Sequence, residues 1–323
     1  MICTENTIDF FETAPSAVSI GKFDGLHLGH QKLLSELRSA GEGLTKILFV
    51  ISPERGKCLL TRKELAYYAE EEGIDRIIFC PFVPEISHLL PEEFVNRILI
   101  ERLKASFVCV GEDFRFGRGR SGDASLLKEL FEKEGAKAKI IPKVMLGGEK
   151  VSSSLIREAV LEGNMELAAN LLGRPYQITG EVIHGNHIGT GMGIPTANIR
   201  PPEEKVLPPY GVYFTRILTE GEKLCGISNL GVKPTVGDSG CGLETYLYDS
   251  HPDLYGRTIS AALLHFVRAE RRFPSLEALS AQTAKDLEAG REYFIGQGFM
   301  EHQPDPGSPR TDKPGGGSAG CSL

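Results

Sequence analysis

The stretch Ser19-Ile20-Gly21-Lys22-Phe23-Asp24-Gly25-Leu26-His27-Leu28-Gly29-His30 decides how the first half of the chain reads. It follows a short apolar run at 17–20 and leads into residues 31–39, where Leu33, Leu34 and Leu37 recur at helical spacing. A strand that passes through a glycine loop into an amphipathic helix is the opening of a βαβ unit. The neighbours outward repeat the alternation. Apolar runs at 46–51, 76–79, 107–110 and 139–141 are separated by helical patterns at 62–72, 92–103 and 125–134, and a helix at 154–161 closes the half. Strands separated by helices imply right-handed crossovers and a parallel sheet, an α/β nucleotide-binding domain. Gly21, Gly25 and Gly29 let the backbone turn tightly and approach a ligand. The helix start behind them offers free N–H groups to a phosphate. His27 and His30 share one helical face, where two imidazoles can donate to a phosphate whose charge grows in a transition state. No GxxxxGK[ST] follows a strand, so transfer through a P-loop lysine is not implied.

The character changes after Leu172-Gly173-Arg174-Pro175. Strand-like runs at 176–183, 211–218, 224–230, 243–248 and 258–266 now follow one another, punctuated by Pro201-Pro202, Pro208-Pro209 and Gly237-Asp238-Ser239-Gly240. This is the pattern of an antiparallel barrel or sandwich. A helix is expected over 275–294 with Ser275 as N-cap. From Glu301, Gly, Pro and Ser make up half the residues, and a disordered tail is expected over 301–323. The division is therefore 1–175, 176–300 and the tail.

The whole-chain numbers agree. At 323 residues the chain is about twice a typical domain, and 41% hydrophobic with 24% charged residues is ordinary globular composition. The net charge of −7 offers no bulk attraction for a nucleic-acid backbone, so no nucleic-acid partner is expected. Cys3, Cys58, Cys80, Cys109, Cys225, Cys241 and Cys321 are odd in number, with no CxxC pair. Free thiols in a reducing cytoplasm are the expectation. No run suggests a membrane span or a signal peptide. The oligomeric state is not legible.

Further motifs carry a resemblance. The HxGH element, Gly111-Glu112-Asp113-Phe114-Arg115-Phe116-Gly117 with Gly119 and Gly122-Asp123, and Ser152-Ser153-Ser154-Leu155-Ile156-Arg157 are similar to the motifs of bacterial FAD synthetases within the nucleotidylyltransferase superfamily. By themselves, the serines read as N-caps or as an anion cradle, and Arg157 as a bidentate phosphate donor. The resemblance implies a site for ATP on Gly21, Phe23, Asp24, Gly25, Gly29, Asp113, Ser152, Ser153 and Ser154, with His27, His30 and Arg157 acting in adenylylation of FMN.

The second half resembles riboflavin kinase. Gly185, then Gly189-Thr190-Gly191-Met192-Gly193-Ile194-Pro195-Thr196-Ala197-Asn198, Leu207–Tyr213, Ser228–Thr235, Glu244–Asp249 and the Arg268–Phe273 segment follow in that family's order. The resemblance implies an ATP and flavin site on Gly185, Gly189, Gly193, Pro195, Asn229 and Arg268. It gives Mg²⁺ the hard oxygen ligands of Thr196 and Asn198, and makes Glu244 the general base. Tyr246 and Tyr248 read either as flavin-stacking or as core residues. Two departures from the family pattern stand out: Ser52-Pro53-Glu54-Arg55 where Asp-Pro-His-Pro is usual, and Thr190 where arginine is usual. The resemblance thus implies a bifunctional enzyme acting on riboflavin, FMN and ATP. Its rivals are a kinase with a degenerate adenylyltransferase and a non-enzymatic flavin binder.

Overall fold

In the computed structural model, which describes residues 1–5, 7–52, 56–183, 196–219, 221–232, 240–249 and 252–301, the chain opens on an edge strand, β1 (Ile2–Glu5). Its side chains are mostly exposed, so no apolar run marks it in the sequence. Strand β2 (Ser16–Gly21) is buried along its length and feeds α1 (Leu28–Arg38). There follow β3 (Thr45–Ser52), α2 (Arg62–Glu71) and β4 (Arg76–Pro81). Two short helices, α3 (Pro84–Ser87) and α4 (Pro91–Glu93), then lead into a π-helix (Phe94–Arg102). Here a helix is expected and a helix forms, but its last turn closes with an i+5 bond, Leu103 N–H to Ile98 O at 3.0 Å. The wider winding puts Phe94, Val95, Ile98 and Leu99 together in the core.

Strand β5 (Ala105–Gly111) is followed by the hairpin β6 (Arg115–Phe116) and β7 (Gly122–Asp123), α5 (Ala124–Lys133) and β8 (Lys137–Ile141). The sheet order is β1-β4-β3-β2-β5-β8, with every pair parallel. From β2 the chain steps one way to β3 and β4, then returns to the other side of β2 as β5. Loops leaving β2 and β5 therefore diverge and open a crevice at the carboxyl ends of those strands, where open α/β sheets bind ligands. Because both sheet faces are covered, the buried strands read as near-continuous apolar runs. The polar exceptions are satisfied: Ser19 Oγ donates to Cys109 O at 2.9 Å.

A small hairpin, β9 (Met145–Leu146) and β10 (Glu149–Lys150), precedes α6 (Ser153–Leu161) and α7 (Met165–Leu172). Helix α7 extends the half beyond the expected closing helix. It is capped by Asn164, whose Oδ1 accepts from Leu167 N–H, and ends on Gly173 at φ 69°.

Strands β11 (Tyr176–Ile183), β12 (Thr196–Ile199), β13 (Gly211–Leu218), β14 (Lys223–Val232), β15 (Cys241–Leu247) and β16 (Thr258–Ala269) form a closed barrel in the order β11-β12-β15-β14-β13-β16. Closure removes the edges that an open antiparallel sheet would expose. Its interior is largely apolar, and the buried hydroxyls of Thr215, Ser228 and Thr245 bond to one another at 2.8 and 2.7 Å. The barrel shares its hydrophobic core with α6 and α7 through Ile156, Val160, Met165, Ala168 and Leu171. Residues Met1–Pro274 form one compact unit. The second contains α8 (Leu276–Gly296), capped by Ser275 as expected.

Candidate functional site

The crevice beside β2 is built on a strained loop. Phe23 and Leu26 have positive φ, at 51° and 43°, as does Gly25 at 88°. Left-handed backbone at non-glycine residues costs energy and persists only where the surroundings enforce it. Phe23 and Leu26 are fully buried, which anchors the loop from below. His27 caps α1: its Nδ1 accepts from His30 N–H at 3.4 Å, so the neutral ring carries its proton on Nε2. The two imidazoles stack at 3.7 Å between centroids, and Phe23 lies 5.2 Å from His30. A Cβ at Gly29 would stand 3.1 Å from the His27 ring, so glycine leaves room for that ring.

Burial pushes the His27 pKa down to about 4, and Lys150 and Arg174 push in the same direction. Burial also lowers the His30 pKa well below the ordinary imidazole value, with His27 adding to it. Both rings are neutral near pH 7 and act as hydrogen-bonding groups rather than cations. His30 Nδ1 is buried with no hydrogen-bond partner among the described residues, an arrangement that costs stability and concentrates at functional sites.

Asp24 is the loop's tie point. Its Oδ1 accepts from Leu59 N–H at 2.6 Å, and its Oδ2 accepts from Arg157 Nη2 at 2.8 Å. Its carbonyl accepts from Ser153 Oγ at 2.7 Å. The serine motif and the histidine loop, far apart in sequence, are thus bonded to each other. Ser152 is the N-cap of α6, accepting from Leu155 N–H, while Ser154 is exposed. Arg157 also donates to Lys57 O at 3.0 Å and lines a cavity of about 520 Å³ with Lys57, Leu161, Pro208, Pro209 and Tyr210.

The loop after β5 forms the facing wall. Phe114 and Phe116 stack at 5.6 Å, and a Cβ at Gly122 would strike the Phe116 ring at 2.6 Å. Asp113 pairs with Lys150 of β10, which holds its carboxyl below the usual range. Asp123 caps α5.

Sequence reasoning misses what fastens this loop from beneath. Arg174, legible only as part of a boundary, donates to Gly25 O at 2.8 Å, to Leu26 O at 3.1 Å and to Leu172 O at 3.2 Å. Its guanidinium stacks 4.1 Å over Tyr68, whose hydroxyl donates to Gln177 of β11 at 2.6 Å. Gln31 Nε2 bonds Leu26 O and Leu172 O as well. The one signal in the sequence is an arginine between a helix-ending glycine and a proline.

On the barrel, strand register gathers residues from separate motifs. Asn198 lies opposite Glu244, Glu244 opposite Asn229, Asn229 opposite Val212, and Val212 opposite Arg268. Directly opposed residues share a face. The alternate positions, Ala197, Leu230 and Leu243, belong to the interior, so this row lies on the barrel's outer face. Thr196 Oγ1 donates to Glu244 Oε1 at 2.8 Å, and Asn198 Nδ2 lies 3.3 Å from Thr196 Oγ1. A cavity of about 60 Å³ opens beside Thr196, lined by Pro252 and Tyr255 among others. Tyr248 is buried, and Tyr246 meets it edge-on at 5.6 Å. Gly185, Gly189, Gly193 and Pro195 lie outside the described residues, as do Thr190, residues 53–55, and all of the tail but Glu301.

Residues 12–155 match the FAD synthetase family, and residues 172–294 match the riboflavin kinase family. The bifunctional riboflavin kinase/FMN adenylyltransferase of Escherichia coli K12 is 37% identical over 289 residues, covering 86% of this chain and 92% of that protein. The chain belongs to that bifunctional family. The Haemophilus influenzae member is 35% identical over 290 residues, covering 86% of this chain and 94% of its own. A crystal structure titled a macrolide-efflux protein, from Streptococcus pneumoniae, superposes with a TM-score of 0.78 at 28% identity, covering 90% of this chain and 98% of that one. Among the described residues of this family member, no helix is long and apolar enough to cross a membrane. Between its two matched regions, residues 156–171 hold much of the apolar surface that α6 and α7 share with the barrel.

Proposed function

We propose that the chain makes FMN from riboflavin and ATP on the barrel, and FAD from FMN and a second ATP in the crevice beside β2. The first activity is assigned to 176–300 and the second to 1–175, with the tail at 301–323 in neither, and the enzyme works in the cytoplasm. The observation that carries the reading is the row Asn198–Glu244–Asn229–Arg268 on one barrel face, standing apart from the paired histidines of the α/β crevice.

On the barrel, the terminal ribityl hydroxyl attacks the γ-phosphorus of ATP, a new O–P bond forms, and the bond to ADP breaks. The Glu244 carboxylate, oriented by Thr196 Oγ1, takes the hydroxyl proton. The hydroxyl of Thr196 and the amide oxygen of Asn198 are hard donors of the kind that suit Mg²⁺, and these residues would hold it. When bound, that ion neutralises phosphate charge. Asn229 and Arg268 flank the same face and bind phosphate or flavin.

In the crevice an FMN phosphate oxygen attacks the α-phosphorus of ATP and pyrophosphate leaves. No covalent enzyme intermediate and no proton transfer are needed. His27 Nε2–H and the start of α1 donate to the phosphate oxygens as charge builds, and Arg157 with Ser153 shapes the pyrophosphate side. The test is incubation with riboflavin, ATP and Mg²⁺, followed by chromatographic separation of riboflavin, FMN and FAD. Sequential appearance of FMN and then FAD is expected. FMN alone would point to a degenerate first site, and neither product would point to a flavin binder. In Arg157→Ala, FAD formation should fall by roughly 10²–10³ while FMN formation persists.

A further inference from the structure

Resting on the reading of the crevice as the adenylylation site, we infer that Arg174 is a positioning residue for that reaction, holding the histidine loop in its strained conformation on behalf of His27. The carbonyls it binds belong to Gly25 and Leu26, two of the three loop residues with positive φ, and His27 follows directly. Without an outside tie, a non-glycine residue such as Leu26 would relax toward ordinary backbone angles. Relaxation there would swing the imidazole that caps α1.

Arg174 is suited to the task and little else. Burial of a guanidinium is tolerated only where its donors are met; here three carbonyls and the Tyr68 ring meet them. The preceding Gly173 turns the chain at φ 69°, where a Cβ would come within 2.8 Å of Leu28 Cδ2, and a proline at 175 disfavours the helical region for Arg174. Backbone on both sides therefore aims the side chain under the loop. The guanidinium has no part in the proposed barrel chemistry. Yet it leans on Tyr68, and Tyr68 is bonded to Gln177 on the barrel's first strand. The pose of His27 thereby depends on a residue that neither motif contains.

The test uses the full chain with Arg174→Ala and Arg174→Lys, measuring FMN-to-FAD and riboflavin-to-FMN turnover on the same preparations. For Arg174→Ala, kcat for FAD formation is expected to fall by about 10²-fold, the usual consequence of misplacing a reacting group by about 1 Å. KM for ATP and FMN should stay within a few-fold, and FMN formation should persist. Arg174→Lys keeps a donor and a charge but not the planar fork, and should recover part of the lost kcat. Full kcat for FAD formation in Arg174→Ala overturns the inference. So does a rise in KM at unchanged kcat, which would mean the side chain touches substrate. Equal loss of both activities in both variants would make Arg174 a general fold residue and overturn it too. Failure of the adenylylation reading itself shows in the wild-type chain, which would then make no FAD from FMN and ATP, and the inference falls with it.

Discussion

Glu244 and His27 show how one side chain's surroundings set its chemistry. Glu244 sits mid-strand in β15, bonded to Thr196 Oγ1 and flanked by Asn198 and Asn229. Glu244→Gln keeps size and one acceptor oxygen but removes the base, so kcat for FMN formation should fall by roughly 10²–10⁴. FAD formation from supplied FMN should persist. A variant with full kinase turnover would leave Glu244 as a strand residue only. His27 makes a pH-dependent contribution to stability. Its folded pKa is about 4 against 6.5 for a free ring, so the unfolded chain takes up the proton first as pH falls. Stability is therefore lost from pH 6.5 down to 4, by about 2 kcal/mol at pH 5 from this ring, with His30 acting in the same direction. Thermal melts at pH 7 and pH 5 should differ less for His27→Gln than for the wild type. An unchanged difference would show that His27 is not buried in the neutral form.

Between elements, a buried ion pair joins α2 to the segment before β13. Lys205 Nζ is fully buried, 2.6 Å from Glu64 Oε2 and 2.8 Å from Leu59 O. Glu64 also completes the capping box of α2 with Thr61, and its Oε1 accepts from Thr179 N–H of β11 at 3.3 Å. Removing one member of a buried pair leaves the other charge uncompensated. Lys205→Met should cost about 3–5 kcal/mol in urea unfolding, and adding Glu64→Gln should restore part of it by removing the stranded charge. If the double variant is less stable than Lys205→Met alone, the cost comes from the cap and not from the charge. The Thr61–Glu64 cap lies within one turn and is local in sequence, whereas Lys205 lies far along the chain from its partner Glu64.

For the whole molecule, the consequence of a shared core is that module boundaries and packing boundaries differ. Helices α6 and α7 belong to the first half in sequence, yet Ile156, Val160, Met165 and Leu171 pack in one cluster with Tyr176, Ile178 and Leu263 of the barrel. Fragments of residues 176–300 and 151–300 should both make FMN without FAD, since the barrel motifs lie in each. The longer fragment should melt at higher temperature, because it keeps apolar surface that the shorter one exposes to water. Equal melting temperatures would mean that α6 and α7 contribute nothing to barrel stability.

What the sequence determined by itself is whatever local pattern encodes. The apolar runs of β2 to β5, the helical spacing of α1, the Ser275 cap and the motif strings on which the family rests all lie within short windows. The parallel sheet, and an antiparallel barrel or sandwich after it, follow from how those windows alternate; closure into a barrel is set by the strand pairing. Strands β1 and β12 escaped, being short and without a decisive apolar run; they exist because β4, β11 and β15 offer them a ladder. Only the tertiary structure decided that Glu244 and Arg268 share a row, that Ser153 and Arg157 reach Asp24, and that Arg174 lies beneath Leu26. The physical reason is range. Propensity and capping act within a few residues, whereas register, positive φ and the burial of a charge depend on groups that the fold alone brings into contact.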